Sequence, residues 1–97
     1  QNRKNKEWYD VPFNKNALIV NTGLALEYLS MGKFKATNHR VLWNKTKRMS
    51  VPFFFEPSYD FKMSPSFLDG RSYSKHKEIL FSKFLKKSLK KFVEYQR

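Results

Sequence analysis

A chain of 97 residues with a formal net charge of +12, 40% apolar residues and no cysteine has room for one domain with a modest core. Disulfides are excluded, and no run of about 18 apolar residues is present to cross a membrane as a helix. The polar, basic start carries no signal-peptide pattern, so an intracellular, cytoplasmic setting is expected.

The charge admits two readings. One is a polyanionic partner, nucleic acid or a membrane surface. The other is compositional drift: Lys far outnumbers Arg, and Asn and Phe are also frequent, as an A/T-rich coding sequence produces. The lysines are scattered and the aromatics fall in strand or helix patterns, so drift is preferred.

Gln1–Lys6 is polar and is expected to be a frayed end. Glu7–Phe13 carries aromatic and β-branched residues up to Pro12 and predicts a short strand. Asn14-Lys15-Asn16 is a turn signal. Ala17–Asn21 is a continuous apolar run, the pattern of a buried strand. Thr22-Gly23 ends it. Leu24–Met31 predicts a two-turn helix, and Gly32 is its expected stop because glycine accepts left-handed backbone. Phe34–Trp43 and Lys47–Phe55 predict two strands joined by a polar loop at Asn44–Lys47, antiparallel and close enough to bring His39 near Arg48. Glu56–Gly70 holds two prolines and scattered aromatics and predicts an irregular surface connection. In the last stretch Phe81, Phe84, Leu85, Leu89, Phe92 and Val93 recur at helical spacing, with Lys83, Lys86, Lys87, Lys90 and Lys91 opposite them. Ser74 is the expected N-cap. The resulting division is a β core over about 7–57, a connection over 58–73 and a helix over 74–95.

The chemistry concentrates around His39 and the strand that follows it. Side chains alternate along a strand, so Arg48, Ser50, Pro52 and Phe54 share one face. Met49, Val51, Phe53 and Phe55 share the other, which is wholly apolar. A guanidinium fork beside a hydroxyl is a good receptor for a carboxylate. His39 lies on a strand face with Thr37, Val41 and Trp43, where a neutral imidazole can ligate a metal. His76-Lys77-Glu78 has the spacing of a metal-binding pair but lies in the basic helical region, and it is set aside.

These residues occur in an ordered set. Trp8-Tyr9-Asp10-Val11-Pro12 is followed by Ala17-Leu18-Ile19-Val20-Asn21-Thr22-Gly23, Gly32-Lys33-Phe34-Lys35, His39-Arg40-Val41 and Arg48-x-Ser50. The set resembles the C-terminal half of the iron(II)- and 2-oxoglutarate-dependent dioxygenases, in the branch of isopenicillin N synthase and anthocyanidin (leucoanthocyanidin) synthase. The likeness runs from about Trp8 to Pro57 and continues weakly beyond. Two positions depart from the family's pattern: Leu24 stands where Asp is common after Asn-x-Gly, and Met49 where Tyr is common.

The resemblance implies that His39 is the distal iron ligand and that Arg48 and Ser50 hold the remote carboxylate of 2-oxoglutarate. Phe54, on the same strand face, becomes a candidate on the substrate side. Such oxygenases bind iron with two His and one carboxylate. The family's first pair, His-x-Asp, precedes the distal His, yet no His occurs among the 38 residues before His39. The chain therefore reads as part of an enzyme that oxidises a small organic substrate with iron(II), oxygen and 2-oxoglutarate, inactive without the missing N-terminal half. The implied fold is mainly β with α: a partial double-stranded β-helix, or jelly roll, with a short inserted helix and a C-terminal amphipathic helix. Its open apolar edges are expected to drive homodimerisation or strand exchange. The alternatives are a small basic nucleic-acid-binding module and, third, a non-catalytic relative of the oxygenase fold.

Overall fold

A computed structural model describes residues 1–42, 47, 49–65, 68, 70, 71 and 77–90. Four regular elements occur among them: α1 (Leu24–Leu29), β1 (Lys62–Met63), β2 (Ile79–Leu80) and α2 (Phe81–Leu89).

The α1 sequence Leu-Ala-Leu-Glu-Tyr-Leu is made of good helix formers apart from Tyr28. Its first intrahelical bond runs from the Glu27 N–H to the Gly23 carbonyl, 3.1 Å. It stops two residues earlier than the sequence suggests. Ser30 is the C-cap, and Met31 and Gly32 both take left-handed backbone, with φ of 55° and 76°. The Gly32 N–H reaches the Glu27 carbonyl at 2.8 Å and the Met31 N–H reaches the Tyr28 carbonyl at 3.1 Å. This pair of bonds is a Schellman closure, which satisfies carbonyls that the helix end leaves open. Gly32 does help stop the helix, but from the second position past the cap. The turn sends residues 33–37 back alongside residues 22–27.

The second unit is built on α2. The expected N-cap Ser74 lies outside the described residues, and the helix starts at Phe81. The reason is visible in the preceding residues: Ile79 and Leu80 pair antiparallel with Met63 and Lys62, so they cannot be helical. Main-chain carbonyls then cap the helix in place of a side chain. Phe81 N–H donates to the Phe61 carbonyl at 2.9 Å and Ser82 N–H to the Tyr59 carbonyl at 3.0 Å, satisfying two of the helix's open donors. The stretch 58–73, expected as a surface connection, thus supplies β1 and most of the core. Met63, Pro65 and Phe81 are fully buried. Tyr59 stacks on Phe81, with ring centroids 6.4 Å apart. Tyr28 of α1 meets Phe84 of α2 at 5.6 Å and donates its hydroxyl to the Lys77 carbonyl at 2.7 Å, which joins the two units. Along α2 the amphipathic division holds: Lys83, Lys86, Lys87 and Lys90 are exposed, and Phe84 and Leu85 are partly covered. The predicted continuation through Lys91, Phe92 and Val93 lies outside the described residues.

The four strands expected before residue 57 do not form ladders among the described residues. Glu7–Phe13, Ala17–Asn21, Phe34–Leu42 and Met49–Phe55 carry no strand assignment. Ala17–Asn21, expected to be buried, is open: Leu18 and Val20 are 93% and 88% exposed. Phe55 is 96% exposed. A strand is made by its neighbours, and an apolar run is buried only where a second layer covers it. The described residues supply neither for these runs. Among the described residues, no helix is long and apolar enough to cross a membrane.

Phe81→Ala removes the centre of the only fully buried cluster described. It should cost about 3–5 kcal/mol, as much as a core this small supplies. Loss of amide protection at Phe81 and Ser82 in hydrogen exchange would register it. Phe55→Ala, at an exposed position, should change the stability of the isolated chain as a monomer by no more than about 0.5 kcal/mol.

Candidate functional site

The segment Lys35–Arg40 carries His39 and is held from three directions. From the N-terminal stretch, Arg3 Nη2 donates to the Ala36 carbonyl at 2.7 Å, and the Gln1 main-chain nitrogen donates to the Asn38 carbonyl at 2.7 Å. The end expected to fray is therefore tied down, with its own turn closed by Lys6 N–H to the Asn2 carbonyl at 3.0 Å. From the residue pair before α1, Thr37 N–H donates to the Thr22 carbonyl at 2.9 Å. From α1 itself, the Glu27 carboxylate accepts the Ala36 N–H at 2.6 Å. Trp8 adds an aromatic contact: the Arg40 guanidinium sits 4.0 Å from its ring centroid, a cation–π arrangement.

Within this frame His39 is exposed and its Nδ1 lies 2.9 Å from the Thr37 carbonyl. A carbonyl oxygen only accepts, so in this contact Nδ1 carries the proton and donates. Nε2 is then the nitrogen with a lone pair. An Nδ1–H to carbonyl bond with the other nitrogen available is the arrangement by which proteins orient a ligating imidazole. His39 thus fits the role of one metal ligand. Among the described residues, no group of three or more His, Cys, Asp or Glu comes together, so no full ligand set forms there around this imidazole.

The other predicted residues are placed less fully. Arg48 lies outside the described residues, as does His76. Ser50 and Phe54 are exposed and lie outside any regular element, Phe54 at 74%. No hydrogen bond or ring contact brings either of them to His39. The loop expected at Asn44–Lys47 to bring His39 toward Arg48 lies, apart from Lys47, outside the described residues.

Glu27 is the residue that pattern reading passes over. Its side chain is one-quarter exposed, with Arg3 Nη2 at 3.4 Å and Lys35 Nζ at 3.6 Å. The Ala36 N–H bond, and after it the charges of Arg3 and Lys35, hold its carboxyl below the usual value of 4.5, while partial burial works in the opposite direction. The one sequence signal was an acidic residue in the first turn of a short helix, a position favoured by the helix dipole.

The model of the 2OG-Fe(II) oxygenase superfamily matches residues 1–57. The chain belongs to that superfamily. Its similar relatives include a flavonol synthase/flavanone 3-hydroxylase of Solanum tuberosum, 48% identical over 63 residues, which covers 64% of this chain and 18% of that protein. A 1-aminocyclopropane-1-carboxylate oxidase of Arabidopsis thaliana is 34% identical over 84 residues, or 86% of this chain and 26% of that protein. A feruloyl-CoA ortho-hydroxylase of Ipomoea batatas is 34% identical over 88 residues, or 88% of this chain and 25% of that protein. The chain spans about a quarter or less of the length of these relatives. No solved structure matches. The superfamily uses iron(II) and 2-oxoglutarate, and its fold is a jelly roll. In this oxygenase chain, the matched residues include His39, Arg48, Ser50 and Phe54.

The lowered Glu27 value has a defined consequence for the oxygenase chain. A carboxyl whose folded value lies below its unfolded one contributes stability that is fully present above the unfolded value, here 4.5, and is lost as pH falls through the folded value. The Ala36 amide should therefore be protected near neutrality, and its chemical shift should move and its protection factor fall as pH drops below 4.5 through the lowered folded value. An NMR titration of that amide would follow the change, and Glu27→Gln should flatten it.

Proposed function

We propose that the protein carrying this chain oxidises a small organic substrate using iron(II), oxygen and 2-oxoglutarate. The observation that carries this reading is superfamily membership over residues 1–57, the stretch that contains all four predicted site residues. His39 would hold iron(II) through Nε2, with Nδ1 kept protonated by the Thr37 carbonyl. Arg48 and Ser50 would hold the remote carboxylate of 2-oxoglutarate, the guanidinium as a two-pronged donor and the hydroxyl as a third. Phe54 would face the substrate. Bound iron(II) supplies the redox chemistry that couples decarboxylation of 2-oxoglutarate to oxidation of a substrate C–H bond. This chain's residues orient the imidazole, seat the cosubstrate and help exclude water.

The remaining ligands and the barrel's other strands belong, in this reading, to the rest of the protein. Residues 7–13, 17–21, 34–43 and 47–55 are strand positions in that complete jelly roll, with Leu18, Val20, Phe53 and Phe55 covered by its other sheet. The setting is intracellular and cytoplasmic. Made alone, the chain is inactive and pairs or exchanges strands with its own copies through the exposed 49–55 edge. Light scattering on the isolated chain should show dimers or larger species; a clean monomer over a wide concentration range would count against this part of the proposal.

The test of the chemistry is succinate formation by the full-length protein. His39→Ala should abolish it. Arg48→Ala should raise the 2-oxoglutarate concentration needed by about 10- to 100-fold, the loss of hydrogen bonds to a charged group. Arg48→Lys should recover only part of this, because the ammonium keeps the charge and loses the planar fork. Turnover that survives His39→Ala would sink the assignment.

A further inference from the structure

We propose that Glu27 and Thr22 are positioning residues for His39, fixing the Thr37 carbonyl that sets the imidazole's tautomer. The inference rests on the reading of His39 as a metal ligand and adds to it the device by which this chain presents that ligand.

The His39 contact is local: Nδ1 reaches back two residues to the Thr37 carbonyl. Such a bond directs the ring only if the carbonyl itself is held. In the complete protein, bonds from neighbouring strands add to those this chain supplies itself. Here the residues around it are held from α1 and its leading pair. The Lys35 carbonyl accepts the Thr22 hydroxyl proton. Ala36 has both main-chain groups tied, its N–H to Glu27 at 2.6 Å and its carbonyl to Arg3 at 2.7 Å. Thr37 N–H goes to the Thr22 carbonyl at 2.9 Å. The two threonine hydroxyls lie 3.0 Å apart. Thr22 has one hydroxyl proton and gives it to Lys35, so Thr37 donates in that contact.

The ties close on each other. The same Arg3 nitrogen that holds the Ala36 carbonyl lies 3.4 Å from the Glu27 oxygen that holds the Ala36 N–H. Lys35 Nζ lies 3.6 Å from the other carboxylate oxygen. One carboxylate thus links three points of the chain, residues 3, 27 and 35–36. The left-handed pair Met31–Gly32 makes this possible by folding 33–37 back along α1. Peptides 35–36 and 36–37 are fixed, and the Asn38 carbonyl beyond them is bonded by the Gln1 nitrogen at 2.7 Å, so the Thr37 carbonyl is held between tied neighbours and the His39 ring follows it. Outer-shell partners of ligating histidines are worth about 10- to 100-fold in metal affinity. Glu27 and Thr22 act one step further out, so the lower end is expected.

The experiment uses the full-length protein and cobalt(II) as an oxygen-stable metal probe. Affinity is measured by titration, and the His39 ring nitrogens are followed by ¹⁵N NMR in the metal-free protein. His39→Ala should abolish the binding. Glu27→Ala should weaken it about tenfold, and the single Nδ1-protonated ring signature should become a tautomer mixture. Glu27→Gln can still accept the Ala36 N–H and should bind within about threefold of the parent, a rescue that tracks the hydrogen bond. Thr22→Val, which keeps shape and loses both hydroxyl contacts, should weaken binding several-fold, and it serves where Glu27→Ala does not fold. Unchanged affinity and an unchanged ring signature in folded Glu27→Ala or Thr22→Val, with His39→Ala inactive in binding, would overturn the positioning role alone. Unchanged binding in His39→Ala would overturn the ligand reading and this inference with it.

Discussion

The Ala36 N–H bonded to the Glu27 carboxylate at 2.6 Å is the contact on which the first half of this structure depends. Half-buried Ala36 must find partners for its peptide groups, and residues 35–37 find theirs in side chains of residues 3, 22 and 27 and in the Thr22 carbonyl. A carboxylate can do this because it accepts several donors at once. Glu27 receives a main-chain N–H and lies against two cations, Arg3 and Lys35. Net charge works in its favour. In a chain of +12, one carboxylate among many cations is an attractive centre, and it draws residues 3 and 35 together across the fold.

The second half rests on a different physical term. Around Met63, Pro65 and Phe81 the stabilising factor is burial, completed by backbone carbonyls of residues 59 and 61 that cap α2. The two halves meet at Tyr28, whose ring lies against Phe84 and whose hydroxyl binds the Lys77 carbonyl. That residue serves both units: its helix carries Glu27 on one side and closes on α2 through the adjacent residue. The segment bearing His39 is therefore connected, through α1, to the best-packed part of the chain.

The site is assembled only in part. His39 is oriented, with its tautomer set by a neighbour two residues away. Ser50 and Phe54 are in open backbone, and nothing in the described residues draws them to the imidazole. The difference follows from the range of the forces. A ring nitrogen and a carbonyl two residues apart can meet without help. A guanidinium or hydroxyl nine to eleven residues further along reaches the same place only if a strand pair fixes its register, and such a pair needs a second sheet to pack upon.

Local pattern was enough for several features. The helix formers between Gly23 and Gly32 determined α1, and the three- and four-residue spacing of Phe81, Phe84, Leu85 and Leu89 against Lys83, Lys86 and Lys87 determined the division of α2 into two faces. The ordered motifs from Trp8 to Ser50 were enough to place the chain among the oxygenases that residues 1–57 match. Other features were decided by tertiary structure alone. Two residues, Lys62 and Met63, make a strand with no periodicity to announce it, and Ile79 and Leu80 leave the predicted helix to pair with them. Arg3 belongs to a segment with the composition of a loose end, yet it holds a carbonyl 33 residues away. The apolar run at 17–21 reads as a buried strand but stays open. Periodicity records which face of a segment prefers an apolar neighbour, and it is a property of a few consecutive residues. Whether that neighbour is present depends on contacts between residues distant in the chain, which no local pattern encodes.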